Sequence, residues 1–517
     1  MLKRSLLILG VWISILLFWT LPSLAEMIVD TAWVRRYNGS GNGWDRPFSM
    51  VVDTFGNVYV TGGSAGEMTL SDYATIKYYK NGDTAWVRRY NGPGNGNDYA
   101  FDIAIDDSES VYVTGSSLGD GTDFDCATIK YYPNGETAWI RRYNGPANAS
   151  DLGAHIALDN SGNIYVSGLR DASSTHADWV TIKYYPNGDT AWVRHYSGPA
   201  NFLDGVAGMT INDLGNIYVA GGSYGNGTDV DYTTIKYYSN GDTAWIRRYN
   251  APGNGPDECS GIALDDSGDI YVTGQNTGSG TIWDYVTVKY YSNGDTAWVR
   301  RYDWYGHWDK ASSIVVDDLA NVCVTGYSIG SGTGYDYATI KYRADGDTVW
   351  VRRYNGPDNS QDFALDLVAD HIGNVYVTGY SYLIFPNCDY VTIKYYSNGD
   401  TAWVRTYNGP KDSTDYLSLV ALDDSSNIYV TGTSYGIGTN FDYATIKYFQ
   451  ALRGDVNRDG VIDVVDLVYL IKYLFLSGPS PKPLETGNTN CDGVVNIVDV
   501  VFLINYLYIG GPPPSCW

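Results

Sequence analysis

Two short stretches near the carboxy terminus carry side-chain oxygens at spacings that suit a hard cation. The first runs Asp455-Val456-Asn457-Arg458-Asp459-Gly460-Val461-Ile462-Asp463-Val464-Val465-Asp466. Counted from Asp455, side-chain oxygens fall at positions one, three, five, nine and twelve. Val461 offers a backbone carbonyl at seven, and Gly460 stands at six, where the chain must turn sharply. The second stretch repeats these offsets with Asn488, Asn490, Asp492, the carbonyl of Val494, Asn496 and Asp499, and with Gly493 at the turn. Ca²⁺ takes about six to eight oxygens, which alternate side chains of a tightly coiled loop can supply together. Three ligand positions of the second loop are asparagine, so two Ca²⁺ sites are expected, the second weaker. A helix is predicted after each loop, over about 464–476 and up to about 508.

The remainder of the chain is written in a repeat. A segment of about fifty-three residues recurs eight times between Trp33 and Lys447. Its tryptophans fall at Trp33, Trp86, Trp139, Trp192, Trp245, Trp298, Trp350 and Trp403. Each copy has a T-A-W-V-R-R-Y-N-G phrase, a stretch like I-A-L-D-D-S-G-N-I-Y-V-T-G, then D-Y-A-T-I-K-Y-Y and N-G-D. In one copy, β-prone runs at 78–80 and 84–90 flank Asn81-Gly82, predicting a hairpin on a type I′ turn with positive φ at both central residues. Runs at 103–106 and 111–114 form a second pair, and 127–132 completes four strands. The first Trp strand, 31–37, has no T-I-K-Y strand before it, and the last T-I-K-Y strand, 445–448, has no Trp strand after it. Pairing these two orphans removes both open edges. The fold class is therefore all-β: an eight-bladed β-propeller of four-stranded antiparallel blades over residues 30–449, its N-terminal strand closing the last blade. An open, solenoid-like stack of the same units is the alternative.

A two-residue turn at Asn81-Gly82 sets Lys77 opposite Trp86 and Thr75 opposite Arg88, so a lysine is expected over an indole once per blade. The recurring aspartates (Asp72, Asp125, Asp178, Asp231, Asp284, Asp336, Asp389 and Asp442) are expected to pair with arginine or cap a loop. Eight identical sites suit blade-to-blade adhesion better than catalysis.

A single ligand site must break the eightfold pattern, and the long connections between strands are where it would sit. The clearest break is Asp303-Trp304-Tyr305-Gly306-His307-Trp308-Asp309, in place of the usual N-G-P-G-N-G-N-D. Trp304, Tyr305, His307 and Trp308 are candidate ligand-binding residues, since aromatics beside carboxylates suit sugar rings. Trp44, His176 with Trp179, Trp283 and residues 382–385 break the pattern in other copies. The plainer alternative is that these aromatics fill gaps between loops. Five histidines give no Ser–His–Asp order and no zinc spacing. No catalytic residue is assigned.

Composition narrows the classes further. A formal charge of −24 makes nucleic acid an improbable partner and suits calcium. Residues 1–25 read as a signal peptide: Lys3 and Arg4, an apolar run, then Ser23-Leu24-Ala25. An uncleaved anchor is the alternative; after cleavage no membrane span is expected, and the chain should be secreted, extracellular or at the cell surface. Six cysteines are too few for a disulfide scaffold, but Cys491 and Cys516 share the small C-terminal domain of an exported chain and are expected to pair.

The phrase Asp-Ser-Gly-Asp-Ile-Tyr-Val-Thr-Gly at 266–274 and its counterparts resemble the SBBP repeat, a propeller unit of exported bacterial proteins. That family's name implies seven blades against the eight counted here, and it implies no particular reaction. The duplicated calcium loops, of EF-hand type but with Asp at position twelve and one helix after each, make 454–510 resemble a type I dockerin. The resemblance implies Ca²⁺-dependent folding and docking to a cohesin domain, in assemblies that commonly degrade polysaccharides. Val464-Val465 and Ile497-Val498 depart from the hydroxyl residues that many dockerins use to choose a cohesin, which signals either a different cohesin type or burial against the domain's own helices. The domains are thus a signal peptide (1–25), a propeller (30–449), a short linker (450–453) and a dockerin (454–517). The expected function is a secreted, non-catalytic binding or scaffold propeller held by its dockerin to a cohesin-bearing complex in polysaccharide catabolism. The alternatives are a propeller glycoside hydrolase or polysaccharide lyase on the same dockerin, and a cell-surface protein with a Ca²⁺-stabilised cap.

Overall fold

The computed structural model describes residues 27–173, 176–277, 282–383, 387–458 and 461–516. The expected signal peptide at 1–25, the loop residues Asp459 and Gly460, and Phe385 lie outside the described residues. The described chain divides into two compact units, Thr31–Phe449 and a smaller one comprising 27–30 and 450–516.

The larger unit is eight four-stranded antiparallel sheets. In the first, Asp45–Val52, Val58–Ala65, Ser71–Tyr78 and Thr84–Tyr90 pair in sequence order. The first strand of each sheet touches the first strand of the next, and Asp415–Leu422 of the last returns to Asp45–Val52. The sheets therefore form a closed ring with these strands innermost and the Trp strands outermost. The eighth sheet is completed by the N-terminal strand, Met27–Tyr37, beside Phe441–Leu452. These two end strands, 11 and 12 residues long, exceed their seven- and eight-residue counterparts, and the second occupies most of 450–453.

The core lies between blades. Tyr59, Tyr73 and Trp86 of the first blade pack with Val111, Val113, Ala127 and Ile129 of the second. Across the closure, Tyr429 and Tyr443 pack the same way on Val58, Val60 and Ala74. Each buried phenol needs an acceptor. Tyr73 donates to the carbonyl of Ala127 at 3.1 Å and Tyr285 to that of Ala338 at 3.1 Å. Tyr443 repeats the bond across the junction, to Ala74 at 3.4 Å. The last interface is built like the others.

Local geometry corrects two sequence expectations. Only Gly82 of the Asn81-Gly82 pair has positive φ, at 87°. The Gly82 amide donates to the Tyr79 carbonyl at 2.7 Å and the Tyr79 amide to the Asp83 carbonyl at 2.8 Å. The hairpin is thus a three-residue loop, a type I turn closed by a left-handed glycine, not a type I′ turn. A register shift between Lys77 and Tyr78 restores the expected pairing of Lys77 with Trp86 and Thr75 with Arg88. Lys77 nevertheless lies over the Tyr59 ring, 5.0 Å from its centroid, and it is Arg88 that covers the Trp86 ring, at 5.7 Å. Tyr59 is the other cross-strand neighbour of Lys77, on the side away from the hairpin.

The smaller unit has helices at Val464–Phe475 and Ile497–Ile504, the latter running on into a wider turn at Asn505–Ile509. Val456, Leu467, Leu470, Val500 and Leu503 form its core, and a disulfide joins Cys491 to Cys516.

Candidate functional site

The two oxygen-rich loops end in identical helix starts. Asp463 and Asn496 are N-caps, accepting the amides of Val465 at 2.6 Å and Val498 at 2.7 Å. Asp466 and Asp499, three residues on, accept the cap amides in return at 2.9 and 2.8 Å. This reciprocal box was visible as D-x-x-D and N-x-x-D but was read only as metal ligation. It fixes the carboxylate of loop position twelve before any ion is considered. Asp466 is fully buried and also accepts the amides of Val456 at 2.7 Å and Asn457 at 2.9 Å. Asp455, 2% exposed, lies close enough that burial and its charge push the Asp466 carboxyl up. Two buried carboxylates in one loop are what a divalent cation relieves.

In the second loop the Oδ1 of Asn488 is buried without a hydrogen-bond partner. An orphaned carboxamide oxygen costs free energy unless something takes its lone pairs, and a cation does. The Asp492 amide donates to Asn490 Oδ1 at 3.1 Å, and Asn490 Nδ2 donates to Asp492 at 3.0 Å. The Val494 amide adds a bond to Asp492 at 2.9 Å, and these bonds hold this exposed carboxyl below its usual range. Asp499 is fully buried and accepts the Asn490 amide at 3.2 Å. Thr489, unforeseen as a contributor, donates its hydroxyl to the Asp499 carbonyl at 2.8 Å and ties the loop to the helix. The donor sets are all oxygen and fit calcium. Val464, Val465, Val468, Ile497, Val498 and Val501 are each between 43% and 58% exposed. The apolar pairs after each loop are therefore not buried against the domain's own helices.

On the propeller the recurring polar residues brace the scaffold. Arg89 reaches Asp72 at 2.8 Å, with the Ser64 hydroxyl at 2.6 Å and Tyr37 of the preceding blade at 3.0 Å. Arg36, Arg142, Arg248 and Arg353 repeat this at Asp442, Asp125, Asp231 and Asp336. Two copies depart. His195 stands in the arginine's place in the third blade, where Arg170 supplies the charge to Asp178 at 3.3 Å. In the seventh blade Thr406 stands there, and burial with the charges of Asp415 and Asp412 pushes Asp389 up to about 6.

The sequence-predicted quartet divides. Trp304 stacks on Tyr302 and meets Tyr305 edge-on at 5.1 Å, under Arg353 at 4.7 Å from its ring. Tyr305 is 77% exposed and His307 is exposed. Trp308 alone of the four lines a cavity of about 420 Å³. Trp283, Tyr327, Tyr335 and Phe363 complete its aromatic wall, and Glu258, Gln275, Asp309 and Lys310 its polar one. Asp309 is pushed up to about 6 by burial, but Asp151, Asp257 and Asp362 are raised equally at the same place in other blades. Its shift therefore belongs to the repeat. Of the other pattern breaks, Trp283 joins this cavity, Trp44 packs on Phe441 at 4.8 Å, and Trp179 is buried beside Tyr196.

The ring of repeated sheets and the paired oxygen loops define a propeller that carries a calcium-binding helical domain. Comparison with protein families gives both parts names: residues 453–508 match the family described as Dockerin type I domain, and residues 244–279 match that described as Beta-propeller repeat, SBBP. The chain carries a type I dockerin after an SBBP-type propeller. No curated protein matches it. Among solved structures it is similar to Drosophila Plexin A in complex with Semaphorin 1b, at 10% identity and TM-score 0.38, over 82% of this chain and 87% of that one. It is also similar to a protein of unknown function from Dyadobacter fermentans, at 9% identity and TM-score 0.37, over 81% and 98%. Neither bears on function. Among the described residues no helix is long and apolar enough to cross a membrane.

Proposed function

We propose that this protein is a secreted binding propeller, moored through its dockerin to a cohesin-bearing extracellular complex that breaks down polysaccharide, and that it catalyses no reaction itself. The observation that carries the reading is the second loop's buried, partnerless Asn488 oxygen, together with a fully buried carboxylate at position twelve of each loop, Asp466 and Asp499. Both loops fit Ca²⁺ through Asp455, Asn457, Asp459, Val461, Asp463 and Asp466, and through Asn488, Asn490, Asp492, Val494, Asn496 and Asp499. Calcium would cross-link each loop to the helix start that its last carboxylate already caps. The half-exposed pairs Val464-Val465 and Ile497-Val498 would then meet the cohesin, at the dockerin positions that select the partner. A hydrolase or lyase gains no support from Asp309, whose raised pKa is shared by counterparts in three other blades.

Immobilised type I cohesins test the reading with the full chain. Binding in calcium that is abolished by chelator supports it. Failure to bind any cohesin, with a fold that still needs calcium, favours a structural cap.

A further inference from the structure

The innermost strands carry one register position that seven different residue types fill across eight copies of the same backbone. It follows the first aspartate of each blade and pairs across to the second strand: Glu258 with Gln275, Lys310 with Tyr327, Phe363 with Tyr380, and Tyr416 with Thr433. The aspartate before it never varies, so the scaffold does not require this variation. Three of these positions, Glu258, Lys310 and Phe363, line the cavity together with Trp283 and Trp308. The two tryptophans stand in the connections of adjacent blades and are held there by backbone: they form a parallel bridge, and the Asp309 amide donates to the Trp283 carbonyl at 2.8 Å.

We propose that this cavity binds a neutral saccharide chain, with Trp308 and Trp283 as ring platforms and Glu258, Gln275 and Lys310 as hydroxyl partners. Sugars present C–H faces that pack on indoles and edges that need both donors and acceptors. Gln275 donates to Glu258 at 2.5 Å, which aligns the carboxylate and leaves its other oxygen for a ligand. The Lys310 side chain has no hydrogen bond or ion pair among the described residues. Of the wall's two carboxylates, Asp309 is fully buried and accepts the Trp304 amide at 2.9 Å, which leaves Glu258 and Lys310 as the accessible charges; one of each sign disfavours a net cation and a net anion alike. Aromatic side chains continue from the cavity wall in an arc. Tyr327 meets Phe363 at 4.8 Å, Phe363 meets Tyr380 at 5.2 Å, and Tyr380 meets Tyr416 at 6.4 Å. Tyr416 meets Phe441 at 5.3 Å, and Phe441 ends the arc on Trp44 at 4.8 Å, an indole 57% exposed. A chain of several sugars could lie along this arc, whereas a single ring would fill only the cavity.

The inference stands on the propeller's own residues and does not need the dockerin reading. Its test is calorimetric titration of the full chain with cellohexaose, xylohexaose, mannohexaose and laminarihexaose, and with the disaccharide of each series. At least one hexasaccharide should bind, about tenfold or more tighter than its disaccharide. Trp308→Ala and Glu258→Gln should each weaken it about tenfold or more without changing the thermal melt. Tyr416→Ala should weaken the hexasaccharide and spare the disaccharide. Asp466→Ala, which breaks the first calcium loop, should leave sugar binding intact while abolishing cohesin capture, so the two readings fail separately. No binding by any of the four sugars, affinity unchanged in both cavity variants, or binding of tetramethylammonium instead would overturn the proposal.

Discussion

Thr406 shows what one residue does in a repeated scaffold. In five blades a guanidinium meets the buried aspartate at 2.7–2.9 Å, so both charges are compensated. Without it, Asp389 titrates at about 6 in the fold, against about 4 in an unfolded chain. A folded pKa above the unfolded one means the fold binds the proton. The stability this contributes is complete below about pH 4 and lost as pH rises through about 6. Thr406→Arg should therefore raise the melting temperature at pH 7 and lose that advantage near pH 4, which a pair of melts at the two pH values measures. Ser381 stands where Ser64 and its counterparts receive the arginine in other blades, so the new side chain has a seat. The Asp–Arg pairing was legible as a recurring pair of residue types. The lysine's ring was not, because Lys77 has an aromatic neighbour on each side, Trp86 across the hairpin and Tyr59 on the other strand.

At the scale of elements, the hairpin between the third and fourth strands is also a blade-to-blade fastening. Trp33 Nε1 donates to the Lys80 carbonyl at 3.1 Å and Arg35 Nε to the Gly82 carbonyl at 2.5 Å, so the closing strand grips the first blade's turn. A Cβ on Gly82 would stand 2.8 Å from the Trp33 ring, in addition to requiring a left-handed backbone. Gly82→Ala is expected to cost about 1–3 kcal/mol in a denaturant melt, more than a surface substitution does. Asn-Gly marked the turn correctly and its type wrongly, since one left-handed residue and a bulge reach the same register as two such residues. The helix starts after the two oxygen-rich loops were foreseen from the sequence. That residues expected to ligate also cap was missed, because Asp at position twelve satisfies both spacings.

For the whole molecule, closure depends on Met27–Tyr37, which lies apart in sequence from the strand it completes. Removing residues 27–37 should open the eighth sheet and expose the Tyr429 and Tyr443 cluster; an unchanged thermal melt would contradict the ring. The repeat made this architecture readable, since eight copies leave one strand unmatched at each end. The cavity was less readable. Trp308 was flagged as a break in the pattern, but Glu258, Gln275 and Lys310 look ordinary until two adjacent blades bring them together. The proposed function needs the two C-terminal loops to be calcium sites, of unequal strength, that make the dockerin a docking element. Titrating calcium into the chelator-stripped full chain tests it most directly. Two sites of different affinity, with Asn488→Asp tightening only the weaker, are expected. A single site, or none, would contradict it.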